Sequence, residues 1–117
     1  MQNVPILTTV TTAYKTWHAY LAHLPRLTRY SLGEKINLLF IELIELTIVA
    51  TYSAREQKVQ IIDKASIKLD LLKYFLQIGW ELKAIDSKKL AQLSPLLVEA
   101  GRMFGGWKKQ LVNKAPS

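Results

Sequence analysis

The sequence has no cysteine and only two histidines, and these absences exclude most familiar kinds of metal and redox site. Without cysteine, neither a disulfide framework nor a thiolate ligand set can form. His18 and His23 are five positions apart and do not share a helix face, so we interpret them as partly buried structural residues. Glycine-rich phosphate loops, nucleophile elbows and metal-ligand spacings are also missing. We therefore predict a protein that is not an enzyme, with no metal and no cofactor; a helical-bundle enzyme is the disfavoured alternative.

A long uninterrupted apolar run is missing as well. The most apolar stretch, INLLFIELIELTIVA, contains Glu42 and Glu45, whereas a membrane span needs about 20 mostly apolar residues. The first residues, MQNVPILTTVTT, lack a basic start followed by an apolar stretch, so no signal peptide is predicted and we expect a cytoplasmic protein. Glu42 and Glu45 share one helix face, and without histidines nearby we interpret them as a solvated stripe and not as a di-iron site.

The composition has a clear excess of positive charge. The 117 residues hold 16 Lys and Arg against 9 Asp and Glu, which gives a formal net charge of +7. Hydrophobic residues make up 50% of the chain, which is too apolar for a disordered protein, and the length suits one domain. A charge this large on a small domain predicts a polyanionic partner, namely nucleic acid, an acidic protein or an anionic membrane. Plain solubility is the alternative.

Hydrophobic spacing predicts that the chain is helical from near its start. The first helix runs from about Pro5 to Leu24, where Pro25 ends it. Its apolar stripe steps by three and four residues: Ile6, Val10, Ala13, Trp17, Tyr20 and Leu24. The second helix opens at Ser31 and Glu34, which have capping-box spacing, and runs to about residue 52.

Capping signals predict two more helices. The third opens with a second capping box, Ser53 and Glu56, and runs to about residue 84. One seam of it is apolar: Ile62, Ala65, Leu69, Leu72, Leu76 and Gly79. The fourth is capped by Asp86 or Ser87 and ends near residue 111, and Pro95 is expected to kink it or to restart it with Ser94 as a second cap.

Four helices with short connections predict an all-α fold, an up-down-up-down four-helix bundle over residues 1–112 with a disordered C-terminal tail at 113–117. The second and third helices carry more apolar side chains than one core can bury, which favours a homo-oligomer over scattered surface hydrophobes. A ring would give each subunit two different contact surfaces. The predicted oligomer interface consists of Leu38, Ile41, Ile48, Val49, Phe75 and Ile78.

The segment EAGRMFGGWKK, residues 99–109, places three glycines inside the fourth predicted helix. Each glycine costs a helix interior about 0.5–1 kcal/mol relative to alanine. Gly101 and Gly105 lie one above the other on a helix face, so we predict close packing there and at Trp107, either with a neighbouring element or only locally. Arg102, Lys108 and Lys109 suit nucleic-acid backbone contact beside a stacking indole, and they equally suit a helix C-terminus.

Two stretches, LPRLTRYSLGEKI (residues 24–36) and EAGRMFGGWKK, resemble the accessory variability determinant (Avd) family, four-helix bundles that accompany the reverse transcriptase of diversity-generating retroelements. The matching residues are Pro25, Arg26, Arg29, Leu32, Gly33, Gly101, Arg102, Gly105, Gly106 and Trp107. A sister family from intervening sequences of ribosomal RNA genes has a Gly-Leu pair where this chain has SLGEKI, and a later Asn-Ile-Ala-Glu-Gly run that is missing here. It remains the alternative, as a nucleic-acid or protein-binding module.

The resemblance implies a homopentameric barrel with a positively charged surface that binds the reverse transcriptase and template RNA or its DNA copy, has no catalytic site and makes no membrane contact. The candidate contacts to nucleic acid or polymerase are Arg26, Arg29, Arg102, Lys108, Lys109, Lys64, Lys68 and Lys73. In the predicted topology Arg26 and Arg29 lie at one end of the bundle and the C-terminal cations at the other. Two separate basic patches are therefore expected unless assembly joins them.

Overall fold

A computed structural model describes residues 4–113, and every regular element in that range is helical. The elements are α1 (Val4–Leu21), α2 (Arg26–Arg29), α3 (Leu32–Tyr52), α4 (Arg55–Glu81) and α5 (Ser87–Asn113). The all-α prediction is confirmed, and the four long helices lie where the sequence predicts them. Asn113 belongs to α5, and the rest of the predicted disordered tail, 114–117, lies outside the described residues.

The four long helices form a square bundle. α1 packs against α3 and α5, and α4 packs against the same two helices. Because the links are short, successive long helices run in opposite directions, so α3 and α5 run the same way at opposite corners. Each of these two helices therefore has an outer face that no other helix among residues 4–113 covers.

The core lies along the bundle axis and follows the predicted stripes. Every residue of the predicted α4 seam is buried, and in α1 only Tyr20 of its stripe is half-buried. Trp17 stacks on Phe40 with ring centroids 6.3 Å apart, and both side chains are fully buried. Complete burial of one such side chain contributes about 1.5–3 kcal/mol. This contact stabilises the packing of α1 against α3.

The link between α1 and α3 contains α2, which the sequence did not reveal. α1 ends at Leu21, earlier than the predicted Leu24, because the amides of His23 and Leu24 turn back onto the carbonyls of Tyr20 and Leu21. Pro25 then precedes α2, where its fixed φ suits the start of a helical turn. The single turn of α2 presents Arg26 and Arg29.

Both predicted capping boxes are wrong, although the helices begin close to them. The Ser31 hydroxyl donates to the Leu27 carbonyl at 2.8 Å, and the Ser53 hydroxyl donates to the Val49 carbonyl at 2.6 Å. Each serine follows a helical turn, and the carbonyl four residues back is within reach of its hydroxyl. The hydroxyls therefore bond to the preceding helix and do not cap the following one.

The predicted cap of α5 is confirmed, because the Lys89 amide donates to the Asp86 carboxylate at 2.8 Å. The predicted restart at Ser94 is wrong, since α5 is one helix from Ser87 to Asn113 with Pro95 inside it. Pro95 is exposed, so its ring lies on the solvent side, where the broken backbone hydrogen bond is hydrated at least cost.

The turn between α4 and α5 requires a glycine. α4 ends at Glu81, before the predicted Ala84, and Lys83 has a φ of 62°. The amides of Ala84 and Ile85 both donate to the Gly79 carbonyl, at 2.9 and 3.2 Å. A Cβ on Gly79 would lie 2.7 Å from the Ile85 Cδ1 atom, which is itself buried. Gly79 therefore lets Ile85 close this end of the core.

Candidate functional site

Five of the predicted basic residues lie toward opposite ends of the bundle, Arg26 and Arg29 toward one end and the three cations of α5 toward the other, and the three lysines of α4 lie between them. We define the first end by α2 and the α4–α5 turn, and the second end by the α3–α4 link and the C-terminus of α5. At the first end, Lys89 of α5 lies 5.6 Å from the ring of Tyr20, near the end of α1. At the second end, Lys58 of α4 lies 5.8 Å from the ring of Trp107. Within this chain the structure therefore does not bring the two predicted groups together.

At the first end, Arg26 and Arg29 have different surroundings. Arg26 is exposed, whereas Arg29 is half-buried and its Nη2 donates to the carbonyls of Ala22 and Leu24 at 3.0 and 3.2 Å. These carbonyls follow the end of α1 and lack partners in a helix. Arg29 thus has a structural role that sequence reasoning missed, and Arg26 is the freer cation.

A small pocket lies beside Arg29. It has a volume of about 190 Å³ and is lined by Leu21, Arg29, Tyr30, Glu34 and Asn37. Arg29 Nε and Asn37 Oδ1 are buried atoms without a hydrogen-bond partner among the described residues. Buried polar atoms without partners are costly, so the pocket has the donor and acceptor needed to hold a water molecule or a polar group.

At the second end, carboxylates already neutralise two of the predicted contacts. Lys108 pairs with Asp63 at 2.8 Å. Arg102 Nε donates to Glu99 Oε2 at 2.9 Å and its Nη2 pairs with Oε1. The hydrogen bond from Arg102 lowers the pKa of Glu99, and the same contact raises the pKa of Arg102. Lys109 is exposed, so it is the more available cation at this end.

The α4 lysines of the predicted set are spread along that helix. Lys68 pairs with Glu42 of α3 at 3.0 Å, Lys64 is exposed, and Lys73 is half-buried beside α5. A groove of about 390 Å³ between α3 and α4 is lined by Glu42, Glu45, Leu46, Lys64, Ile67 and Lys68. Its charges are mixed, so it does not form a continuous basic surface.

Two further cations, Arg55 and Lys58, hold the second end together and were not predicted. Lys58 Nζ donates to the carbonyls of Ala50 and Thr51, both at 2.8 Å, and Arg55 Nη2 donates to the Leu111 carbonyl at 2.8 Å. Cations are favoured at helix C-termini for this reason. The sequence feature that could have predicted this role is a basic residue in the first turn of a helix that follows the preceding helix after a very short link.

Trp107 is not available for base stacking. Its side chain is only 6% exposed, and the ammonium group of Lys58 lies over its ring. The prediction of a stacking indole is therefore wrong, because the bundle core extends to the second end and includes this ring. Trp107 instead packs inside the bundle.

The glycines of α5 differ from one another. A Cβ on Gly101 would lie 3.5 Å from Leu69 Cδ2 and from Lys73 Nζ, an ordinary contact distance. A Cβ on Gly105 or Gly106 would have no atom within 4 Å among the described residues. Close packing at Gly105 is thus wrong within this chain, since its side of α5 faces outward.

Most of the chain matches a family of known proteins. The family model described as bAvd-like matches residues 7–111, a range that includes all of α3 and α4, most of α1 and α5, and both resembling motifs. The chain belongs to the bAvd-like family. The resemblance to Avd proteins that the two motifs indicated is confirmed. Among curated proteins, none matches the chain.

In this bAvd-like bundle the predicted apolar interface is only partly exposed. Leu38, Ile41, Ile48 and Val49 of α3 are between 38% and 52% exposed. Phe75 and Ile78 are half-buried, and Phe75 packs against the core. The exposed large apolar residues of α4 are Ile67, Leu71, Tyr74 and Trp80. The predicted surface therefore stays a candidate interface, in which the α3 residues are more exposed than Phe75 and Ile78.

The remaining sequence predictions concern metals and membranes. His18 and His23 are both exposed, so the interpretation as partly buried residues is wrong. Within residues 4–113 there is no cluster of three or more His, Cys, Asp or Glu residues placed to hold a metal ion. In the same range, none of the helices combines the length and apolarity needed to cross a membrane.

Proposed function

We propose that this bAvd-like chain is a non-enzymatic accessory protein of a diversity-generating retroelement. In this role it binds the reverse transcriptase and template RNA or its DNA copy in the cytoplasm, as a homopentameric barrel. The observation that carries the proposal is the family match over residues 7–111 on a chain with a net charge of +7. The bundle acts as a scaffold that supports mutagenic reverse transcription.

The distribution of free cations supports contact with a nucleic-acid backbone. Arg26, Lys64 and Lys109 are exposed, and within residues 4–113 none of them forms an ion pair with a carboxylate. Such cations release condensed counterions when they neutralise phosphates. Binding should therefore depend little on sequence and weaken steeply with salt.

The experiment is a salt titration of binding to single-stranded RNA by fluorescence anisotropy. Replacing Arg26 and Lys109 together by glutamate should weaken binding and flatten the slope of log affinity against log salt. The matched control is the double variant Glu99→Gln with Arg102→Gln, which removes an ion pair that is already neutral and leaves the net charge unchanged. Unchanged affinity in the double variant would contradict a nucleic-acid role for these two ends and favour an acidic surface on the polymerase.

The polymerase contact needs a separate measurement. The purified reverse transcriptase of the same element should be retained by the immobilised wild-type chain and should make more complementary DNA in its presence. The ribosomal intervening-sequence type remains the alternative, and the bAvd-like match favours the retroelement type. A gene neighbourhood without a reverse transcriptase and without template and variable repeats would favour that alternative.

A further inference from the structure

The small pocket at the first end of the bundle is lined by two residues that each have a buried polar atom without a partner. The pocket lies where α1, α2 and α3 meet, and its lining residues are Leu21, Arg29, Tyr30, Glu34 and Asn37. Arg29 Nε only donates hydrogen bonds and Asn37 Oδ1 only accepts them, and neither atom has a partner among the described residues. A buried polar atom without a partner is costly. The pocket thus offers one donor and one acceptor to a ligand.

The walls of the pocket are fixed by contacts within the fold. Arg29 Nη2 donates to two carbonyls that follow the end of α1, so the guanidinium group is held in place and only its Nε lacks a partner. A Cβ on Gly33 would lie 3.2 Å from the Thr28 carbonyl oxygen, so this glycine lets α2 lie close against α3. Glu34 and Asn37 are three residues apart and share one face of α3. A ligand would therefore meet a site that is already arranged for it.

The size of the pocket suits a single ring system. Its volume is about 190 Å³. One water molecule occupies about 30 Å³ in the liquid, and sites for drug-sized molecules span about 300–1,000 Å³. The pocket is therefore much larger than one water molecule needs and too small for a large cofactor.

The charges around the pocket favour a neutral ligand. Glu34 is exposed, and within residues 4–113 its carboxylate forms no ion pair. An anion in the pocket would meet this carboxylate and the Asn37 carbonyl oxygen, whereas a cation would meet the Arg29 guanidinium. A neutral molecule that has both donors and an acceptor avoids both conflicts.

The side chains at the rim favour a flat ligand. Tyr30 is 60% exposed, and Arg29 Cζ lies 6.0 Å from the centre of its ring. Aromatic rings and guanidinium planes are the surfaces on which unpaired bases stack. Arg26, in the same short helix, is exposed and forms no ion pair within residues 4–113, so it is available to a neighbouring phosphate. A nucleobase fits this combination better than an aliphatic amide does.

The hydrogen-bonding groups of the pocket distinguish among the bases. The unused groups are one donor, Arg29 Nε, and two acceptors, Asn37 Oδ1 and the Glu34 carboxylate. The Watson–Crick edge of guanine has one acceptor, O6, and two donors, N1–H and the 2-amino group. The same edge of adenine, cytosine or uracil has only one donor group. Guanine is therefore the base whose edge complements the pocket.

We propose that this pocket binds a guanine base, with Arg29 Nε donating to O6 and the oxygens of Glu34 and Asn37 accepting from N1–H and the 2-amino group. The base belongs either to a single strand or to a free nucleotide. Where it belongs to a strand, the inference rests on the nucleic-acid part of the proposed function. Contacts to the backbone, such as that of Arg26, remain independent of sequence.

Titration with the monophosphates of guanosine, adenosine, cytidine and uridine, followed by heteronuclear NMR, tests the base alone, because these nucleotides carry the same charge. Guanosine monophosphate should shift the Nε–H signal of Arg29 and the side-chain amide signals of Asn37. It should bind roughly fivefold more tightly than the other three, since each of them loses at least one hydrogen bond. Inosine monophosphate lacks the 2-amino group and should bind more weakly than guanosine monophosphate. Equal affinities for all of them would overturn the proposal.

Two glutamates of α3 provide a matched pair of variants. Glu34→Gln and Glu45→Gln both replace an exposed carboxylate and both raise the net charge by one, but only Glu34 lines the pocket. Glu34→Gln should weaken binding of guanosine monophosphate roughly fivefold, whereas Glu45→Gln should leave it unchanged. The added positive charge favours a phosphate, so a loss in Glu34→Gln alone comes from the base. Equal effects of the two variants would contradict the assigned role of Glu34.

Asn37→Leu separates a binding role from a structural one. The substitution removes the acceptor and keeps a side chain of similar size, so guanosine monophosphate should no longer bind selectively. Because Asn37 Oδ1 has no partner among the described residues, the urea midpoint should not fall. A lower midpoint together with unchanged nucleotide binding would show that Asn37 serves the fold and not the ligand.

Two uridine octamers test whether the base comes from a strand. One octamer is uridylate throughout and the other has a single central guanosine, so length and charge are equal. The wild type should bind the second roughly fivefold more tightly, and this ratio should persist as salt rises, because a base contact releases no counterions. Glu34→Gln should lose the preference. On uridylate alone only backbone contacts count, so there Arg26 should matter more than Arg29.

The outcomes separate this inference from the proposed function. If the two octamers bind equally and guanosine monophosphate shifts no signal of the pocket, the inference is wrong, the pocket holds water only, and the accessory role stands. If guanosine monophosphate binds selectively while neither octamer binds, the pocket is a site for a free nucleotide. In that case the guanine assignment holds and the nucleic-acid part of the proposed function fails.

Discussion

Each end of the bundle has a tryptophan near it, but the two tryptophans differ in burial. The cations around them differ in whether they are bonded within the fold or free. At the first end, Trp80 is 40% exposed and its indole donates to the Ser87 hydroxyl at 2.9 Å. At the second end, Trp107 is buried and Lys58 covers it. The second end is closed by cations that cap helix carbonyls, whereas the first end is closed by Ile85 and a glycine turn. Most cations at the second end are thus bonded to helix carbonyls or to a carboxylate of the same chain.

This difference explains why the net charge does not predict which cations are free to bind a polyanion. Arg55 and Lys58 are used as helix caps, and Lys108 is paired with Asp63. Among residues 4–113 the first end exposes Arg26, Lys83 and Lys88 without an ion pair, whereas Lys109 is the exposed cation without one at the second end. The two ends therefore differ in how many of their cations remain free for a polyanion, although both are basic in sequence.

The largest expected effect tests whether Trp107 belongs to the core. Trp107→Ala should lower the free energy of unfolding by about 3 kcal/mol, because a buried aromatic ring leaves a cavity. Its matched control is Trp80→Ala at the first end, which should cost about 1 kcal/mol, since that ring is partly in water already and loses one hydrogen bond. Urea denaturation followed by circular dichroism gives both values. Equal losses would contradict the difference between the ends.

The next effect tests the cationic cap itself. Lys58→Met keeps the aliphatic stem but removes the donor to two carbonyls, so stability should fall by about 1–2 kcal/mol. Lys64→Met, an exposed lysine two turns along the same helix, serves as the control and should change stability by less than about 0.5 kcal/mol. A loss in Lys58→Met no greater than in Lys64→Met would show that water satisfies the α3 carbonyls equally well.

Sequence patterns predicted the four long helices and the buried seam of α4. Apolar residues spaced three and four apart mark the buried face of a helix whichever helix packs against it. The patterns failed at the capping boxes. The Ser31 hydroxyl bonds to α2, which the pattern did not contain, and the Ser53 hydroxyl bonds to the last turn of α3, an alternative partner that the capping-box spacing does not exclude. The patterns also missed α2, which is a single turn with no buried residue and so leaves no hydrophobic period.

The candidate site was harder to predict than the fold, because its electrostatics depend on packing between distant segments. Lys108 meets Asp63 only once α4 and α5 lie side by side, and Lys68 meets Glu42 in the same way across α3 and α4. The exposure of Leu38 and Ile48 could be predicted, since it follows from a helix wheel. The sequence left open whether Trp107 packs in the core or stacks on a base, because the choice depends on how the neighbouring helix and Lys58 lie against it.

A smaller effect separates the two arginines of the first end. Arg29→Ala should lower stability by about 1–1.5 kcal/mol, because the carbonyls of Ala22 and Leu24 lose a charged donor. Arg26→Ala should be neutral within about 0.5 kcal/mol and should weaken RNA binding more than Arg29→Ala does at equal folded fraction. The measurements are urea midpoints and RNA anisotropy on the same samples. Equal stability of the two variants would contradict the structural role assigned to Arg29.

The smallest effect is a gain at the glycine turn of the first end. Lys83 has a φ of 62°, in the left-handed region that follows many helix ends and that glycine adopts without steric cost. Lys83→Gly should therefore raise the free energy of unfolding by about 0.5–1 kcal/mol, by removing Cβ strain at this position. Lys64→Gly, in the middle of α4, should instead lower it by about the same amount, because there glycine only adds unfolded-state entropy. Opposite shifts of the urea midpoint with unchanged slopes are the expected result. A loss in Lys83→Gly would mean that the lysine side chain stabilises the turn by more than its backbone strain costs.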